Sequence, residues 1–203
     1  MMMNVRLKHE VTFSSVVFDG PVIFPNNFHV EINLITETEN TTRQNIAIQR
    51  VLFFICDILE GCILIDKDNP NLNKLKKISG GTMIVELPGE PRDQLIGILL
   101  YHKLCAITED NFEIDTLIIG SDRFNNLSYT IDDFGEFGID GTPWWDREDL
   151  TICERKSHPL NKLNWADIDL DWDSGDKVQN NEGNNKVEIL EGGPEIGNEP
   201  TAI

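Results

Sequence analysis

Two stretches of the chain, Phe28 to Asp66 and Thr82 to Gly120, each read as strand, helix, strand, and a chain that repeats this unit has few folds open to it. In the first, Phe28, Val30, Ile32 and Leu34 alternate with His29, Glu31 and Asn33, the period of a strand with one buried face. Ile48, Val51, Leu52, Ile55, Ile58, Leu59 and Cys62 then recur at three- and four-residue steps, so a helix turns an apolar stripe inward, widened by Phe53 and Phe54. Thr41 and Gln44 have the spacing of a capping box at its start. Gly61 suits its end, because glycine takes the left-handed conformation at little cost. Ile63 to Ile65 follows as a short buried strand.

The second unit repeats the order. Met83 to Leu87 reads as strand, Pro91 to about Thr108 as helix and Phe112 to Ile119 as strand. Pro91 fits a first helical position, where its missing N–H would go unbonded anyway. The stripe is Leu95, Ile96, Leu99, Leu100 and Leu104, with Ile98 and Ile107 beside it. Val11 to Phe18 before the units and Leu127 to Ile131 after them read as extra edge strands. This order predicts an α+β, ferredoxin-like (split βαβ) antiparallel sheet with both helices on one face. The domain so predicted covers 1–131. A fold of this kind hosts many unrelated functions.

Between the units, Leu72, Leu75 and Ile78 with Lys74, Lys76 and Lys77 predict one short amphipathic helix whose lysines form a solvated face. The longest apolar run, Val51 to Cys56, falls far short of the roughly 18 to 20 residues that span a bilayer. With no apolar stretch behind Arg6 and Lys8, a secretory leader is not expected, and the expected location is cytoplasmic, or host cytoplasm or virion for a viral chain. Cys56, Cys62 and Cys105 sit among apolar neighbours and match no zinc or redox spacing.

Charge constrains the partners. Against 17 basic residues stand 35 acidic ones, a net charge of −18. Such a surface repels phosphate backbones, because nucleic-acid affinity rests on Lys and Arg neutralising phosphates. Direct nucleic-acid binding and an anionic membrane surface are therefore not expected, and the attraction runs toward a basic protein partner.

Past Ile131 the composition changes. Asp132 to Asp149 holds seven acidic residues and one arginine, with Gly135, Gly138 and Gly141 evenly spaced and Pro143-Trp144-Trp145 after them. A calcium loop fails here: with Gly138 or Gly141 at the turn position, the final bidentate glutamate would fall on Trp144 or Arg147. Asp132, Asp133, Glu136 and Asp140 remain as a looser carboxylate cluster for a divalent metal, and Cys153 with His158 as a lone metal-ligand pair. Carboxylates grouped in a loop are more simply solvated, and no metal or other cofactor is expected.

All four tryptophans, Trp144, Trp145, Trp165 and Trp172, lie beyond the predicted domain. Residues 132–165 form an acidic Gly/Trp-rich extension that packs on the domain or on a partner. Around Trp165, the side chains of Ile168, Leu170 and Trp172 interleave with Asp167, Asp169, Asp171 and Asp173, a pattern that stays soluble when unbound and can order on a groove with apolar pockets and a basic rim. The alternation from Ile168 to Trp172 favours a strand added at a partner's exposed sheet edge, the alternative being that the stretch packs on its own domain as a last strand or helix. Residues 166–203 carry ten acidic residues against two lysines and are expected to form a disordered acidic tail, with Val187 to Leu190 a small apolar island.

No nucleophile elbow or paired-histidine motif is present, and His9, His29, His102 and His158 share no local pattern. Three functions follow in order. The first is a non-enzymatic interaction protein, an adaptor, inhibitor or assembly factor that docks on a basic-rimmed partner through Trp144, Trp145 and the segment Trp165 to Asp173. The second is a nucleic-acid mimic that occupies the cleft of a DNA- or RNA-binding protein. The third is a metal-dependent hydrolase using the Asp132 cluster. In its Asn- and Ile-rich, acidic character the chain is similar to accessory or structural proteins of tailed bacteriophages, a likeness of composition that no motif carries. It implies a virion component or an inhibitor of a host system.

Overall fold

The computed structural model describes residues 5–124, 127–132, 143–153 and 163–173. Its centre is a long hairpin. β1 (Arg6–Asp19) and β2 (Val22–Thr36) pair antiparallel over their whole length, joined through Gly20 and Pro21. Gly20 sits at φ 57°, a value that suits glycine at such a tight connection. In both strands apolar residues alternate with polar ones, so Phe13 and Phe28 face each other on the buried side, their rings stacked 4.9 Å apart.

α1 (Thr41–Phe53) follows β2. Its cap is Asn40, whose side chain accepts from the Arg43 N–H at 3.0 Å, so the Thr41 capping box is corrected by one residue. The helix continues as a π-helical segment, Phe54–Leu59, in which the wider winding keeps Phe54, Ile55, Ile58 and Leu59 all buried. Gly61, at φ 70°, stops it where the sequence predicts. β3 (Ile63–Asp66), α2 (Leu72–Ile78), β4 (Ile84–Leu87), α3 (Asp93–Thr108), β5 (Phe112–Ser121) and β6 (Ser128–Ile131) complete the order. α3 begins two residues after Pro91, because Arg92 is still extended at φ −94°, ψ 148°.

The strands form one six-stranded mixed sheet in the order β4-β3-β1-β2-β5-β6. The predicted ferredoxin-like antiparallel sheet is corrected on two points. β1, expected at an edge, takes the centre, because a tight turn makes pairing with β2 the shortest loop to close and β5 occupies the other side of β2. β3 and β4 pair parallel, since α2 and its flanks supply a crossover long enough to return the chain in the same direction. β6 is an edge strand, as predicted.

α1 and α3 pack on one sheet face against Phe13, Phe28, Val30, Ile32, Leu64 and Leu117, the main core. There Gly97 of α3 lets helix and sheet approach so closely that an added Cβ would lie 2.5 Å from both Ile119 Cγ2 and Ile131 Cδ1. α2 covers the opposite face at the β4-β3-β1 end, where Leu72 meets Phe18, Ile65 and Ile84. Lys76 of α2 pairs with Glu86, while Lys74 and Lys77 remain exposed as a solvated face. Among the described residues no helix covers the rest of that face, on β1, β2, β5 and β6. Among the described residues no helix is long and apolar enough to cross a membrane.

Candidate functional site

The acidic, indole-bearing extension is built onto the domain from two buried cations. Lys103 lies on the inward stripe of α3, fully buried, and its ammonium donates to the carbonyl oxygens of Trp144 (3.1 Å), Arg147 (2.6 Å) and Asp149 (2.5 Å). These oxygens belong to a short turn, Trp144–Asp146, and the chain just after it, where the Arg147 N–H reaches the Trp144 carbonyl only at a long 3.4 Å and the ammonium supplies the closer donors. Burial pulls Lys103 down to about 7 from its ordinary 10.5, with the Asp149 carboxylate opposing. The Trp144 indole N–H donates to the Glu86 carbonyl at 3.0 Å, which covers the outer edge of β4, and Trp145 packs edge-on to Trp144 with centroids 5.7 Å apart.

Arg50 of α1 is the second cation. Its guanidinium lies 4.4 Å from the Trp165 ring centroid and 4.2 Å from that of Trp172, so one planar cation holds two indoles. Burial lowers its pKa to about 10, with Glu148 and Asp171 opposing, and it stays charged at neutral pH. Trp165 also donates to the Glu148 carbonyl at 2.6 Å, which ties the segment Leu163 to Asp173 to the turn above it.

The predicted partner-binding residues therefore divide by chemistry. Trp144, Trp145 and Trp165 are each under 5% exposed, in the same core as Leu99. Ile168, Leu170 and Trp172 are partly buried against that core. Asp167, Asp169 and Asp173 are exposed, and Asp171 is intermediate. The predicted strand from Ile168 to Trp172 is corrected: the chain forms a 3₁₀ turn, Trp165–Ile168, followed by Asp169 in the left-handed region at φ 58°. A reciprocal capping box between Asn164 and Asp167 nucleates that turn, a local bond that outweighs the alternation. Packing against the core runs on to Trp172. Residues 174–203, with the expected disordered tail and the island Val187 to Leu190, lie outside the described residues.

The other candidates are dispersed. Among the described residues no group of three or more His, Cys, Asp or Glu side chains could hold a metal ion. Asp133, Glu136, Asp140 and His158 fall outside the described residues. Cys62 is buried and pushed up to about 12, Cys105 up to about 11, so neither supplies a thiolate nucleophile at neutral pH. Cys56, expected among apolar neighbours, is exposed, and no disulfide links any of the four.

A second surface was not singled out by sequence reasoning. On the open sheet face, Glu10, Thr12, His29, Glu31, Ile118 and Ser128 line a concavity of about 370 Å³. Asp122 accepts from Asn27 at 2.7 Å and pairs with His29 at 3.2 Å, and the Asn27 and His29 bonds hold its carboxyl below the usual range. Lys8 bridges Glu10 and Glu31 at 2.9 and 2.8 Å. The signal was present in the polar positions of both long strands, which the register places on one face. Arg50 and Lys103 were also legible, since each occupies a stripe position that the helical period assigns to the core.

Fold and surfaces define a mixed α/β protein with an acidic segment strapped to its helical side. Neither known protein families nor curated protein sequences give a match to this chain.

Proposed function

We propose that the protein is a non-enzymatic interaction protein that docks on a basic partner through the Trp165 to Asp173 segment, with the carboxylates as the contacting groups and the indoles as anchors. One observation carries this reading: Arg50, gripped between Trp165 and Trp172, turns the apolar side chains inward and leaves Asp167, Asp169 and Asp173 exposed on a held strap. A charged strip already ordered before binding loses less entropy on association than a free peptide does. The net charge of −18 supports a basic partner by raising the encounter rate.

The test is affinity purification from the native source with the full chain and with an Asp167→Asn, Asp169→Asn, Asp173→Asn variant. The reading expects a basic protein retained by the first and lost by the second. Equal retention by both would remove the strap from the interface.

The nucleic-acid mimic is the second reading, supported by the same charge. It expects binding that weakens steeply with salt and that DNA or RNA displaces. A complex insensitive to salt would end it.

A further inference from the structure

We infer that the outer edge of β1 from Arg6 to Thr12 is a self-association site, at which a second copy of this chain pairs antiparallel about a two-fold axis through His9. On one side β1 is bonded along its length to β2, but on the other β3 covers only Val16 to Phe18. The direction of the free groups follows from two bonds beside that junction. Val16 N–H donates to the Cys62 carbonyl at 2.8 Å, and the Ser14 carbonyl accepts from Gly61 N–H at 2.7 Å. Backbone groups alternate along a strand, so the N–H and C=O of Arg6, Lys8, Glu10 and Thr12 point the same way, away from β2. At Ser14 the Glu60 carboxylate closes the edge, accepting the Ser14 N–H at 2.8 Å. Among the described residues nothing accepts or donates in that direction from Arg6 to Thr12.

An open edge invites pairing, and charged residues often guard against it. Guarding charges of one sign would repel a second copy. The charges here do the opposite. Read outward from His9, the sequence is Lys8 and Leu7 on one side, Glu10 and Val11 on the other. An antiparallel copy centred on His9 sets Lys8, which already bridges Glu10 and Glu31 of its own chain, opposite the partner's Glu10 as well, and Glu10 opposite the partner's Lys8. Both are hydrogen-bonded positions, because both residues point their backbone groups outward. Leu7, an exposed apolar side chain, then meets the partner's Val11 on the core-facing side. His9 itself meets the partner's His9 at the close, non-hydrogen-bonded position. Centring on Glu10 would oppose two carboxylates, and centring on Lys8 would oppose two ammoniums between two Arg6–Glu10 pairs, so the pattern favours the His9 register, in which no like charges meet. The occupant is a copy of this chain, because the complementarity is between the strand and itself.

The full chain is measured by sedimentation equilibrium up to about 100 μM, where a dimer of twice 23.1 kDa is expected. Lys8→Glu should weaken it at least about tenfold, and Lys8→Glu with Glu10→Lys should restore it, because the charges again oppose. Glu10→Pro removes an outward N–H together with the carboxylate that faces Lys8, a backbone change an edge strand tolerates, and should give a folded monomer. Hydrogen exchange on the unaltered protein should show the Lys8, Glu10 and Thr12 amides protected as concentration rises. A monomer at all concentrations, a dimer indifferent to Glu10→Pro, or exchange at these amides independent of concentration would overturn the inference.

Discussion

The Lys103 ammonium donates to the Trp144 carbonyl at 3.1 Å, while the Trp144 indole donates to the Glu86 carbonyl at 3.0 Å. A buried side chain of α3, the extension and the outermost strand are thus joined through one residue. The extension is part of the domain's core, and disturbing its anchors should register in global stability.

Lys103→Met keeps most of the volume but removes the donor to the carbonyls of Arg147 and Asp149 and leaves that of Trp144 only the long bond from the Arg147 N–H. Orphaned buried acceptors cost about 1–3 kcal/mol each before relaxation, and water can reach some of them once the turn loosens, so a loss of about 2–4 kcal/mol is expected. Urea denaturation followed by tryptophan fluorescence measures it. An unchanged midpoint would show that the ammonium is not the fastener.

The same residue sets a pH dependence. The unfolded chain keeps the Lys103 proton up to about 10.5, whereas burial in the fold releases it above about 7. Between these values the unfolded state binds more protons, so this group makes stability rise with pH, by at most about 1.4 kcal/mol per unit. Below about 7 both states are protonated and the cost of burying the charge is present in full. Cys62 and Cys105, raised by burial, act in the opposite sense once unfolded thiols begin to ionise near 9.0. Denaturation at several pH values from about 7 to 8.5 should therefore show a rise that Lys103→Met abolishes.

Arg50→Leu tests the strap. The substitution is apolar and matches the core, yet it removes the cation shared by Trp165 and Trp172, worth about 1–2 kcal/mol when desolvated. Trp172 should become exposed, read as a red shift in emission and faster proteolysis between Leu163 and Asp173. An emission spectrum identical to that of the unaltered protein would show that packing alone holds the indoles.

Gly97→Ala sets two effects against each other. Alanine gains up to about 1 kcal/mol of helix propensity, but its Cβ would fall 2.5 Å from Ile119 Cγ2 and Ile131 Cδ1. Overpacking of this kind costs about 1–3 kcal/mol, so a net loss of stability is expected, with part recovered by adding Ile131→Val, which removes one of the two clashing atoms. A more stable Gly97→Ala protein would mean that helix and sheet separate freely.

The helices, strands and their inward faces could be read from the chain before any coordinates, because hydrophobic period is local and survives in sequence. Gly61 ends its helix and Leu72 to Ile78 forms one for reasons contained within a few residues. The order of strands could not be read that way. Whether β3 lies beside β1 or another strand depends on which edge remains free after Gly20 and Pro21 close the hairpin, and that is a competition between distant segments. The extension shows the same division. Its indoles and carboxylates mark a surface made to be covered, but the sign of the answer came from Arg50 and Lys103, two cations placed on core stripes more than forty residues before the groups they hold. Local pattern determined which side chains are buried; only the folded chain decided what they are buried against, because burial is a property of a residue and its neighbours whereas a partner is chosen by geometry across the whole molecule.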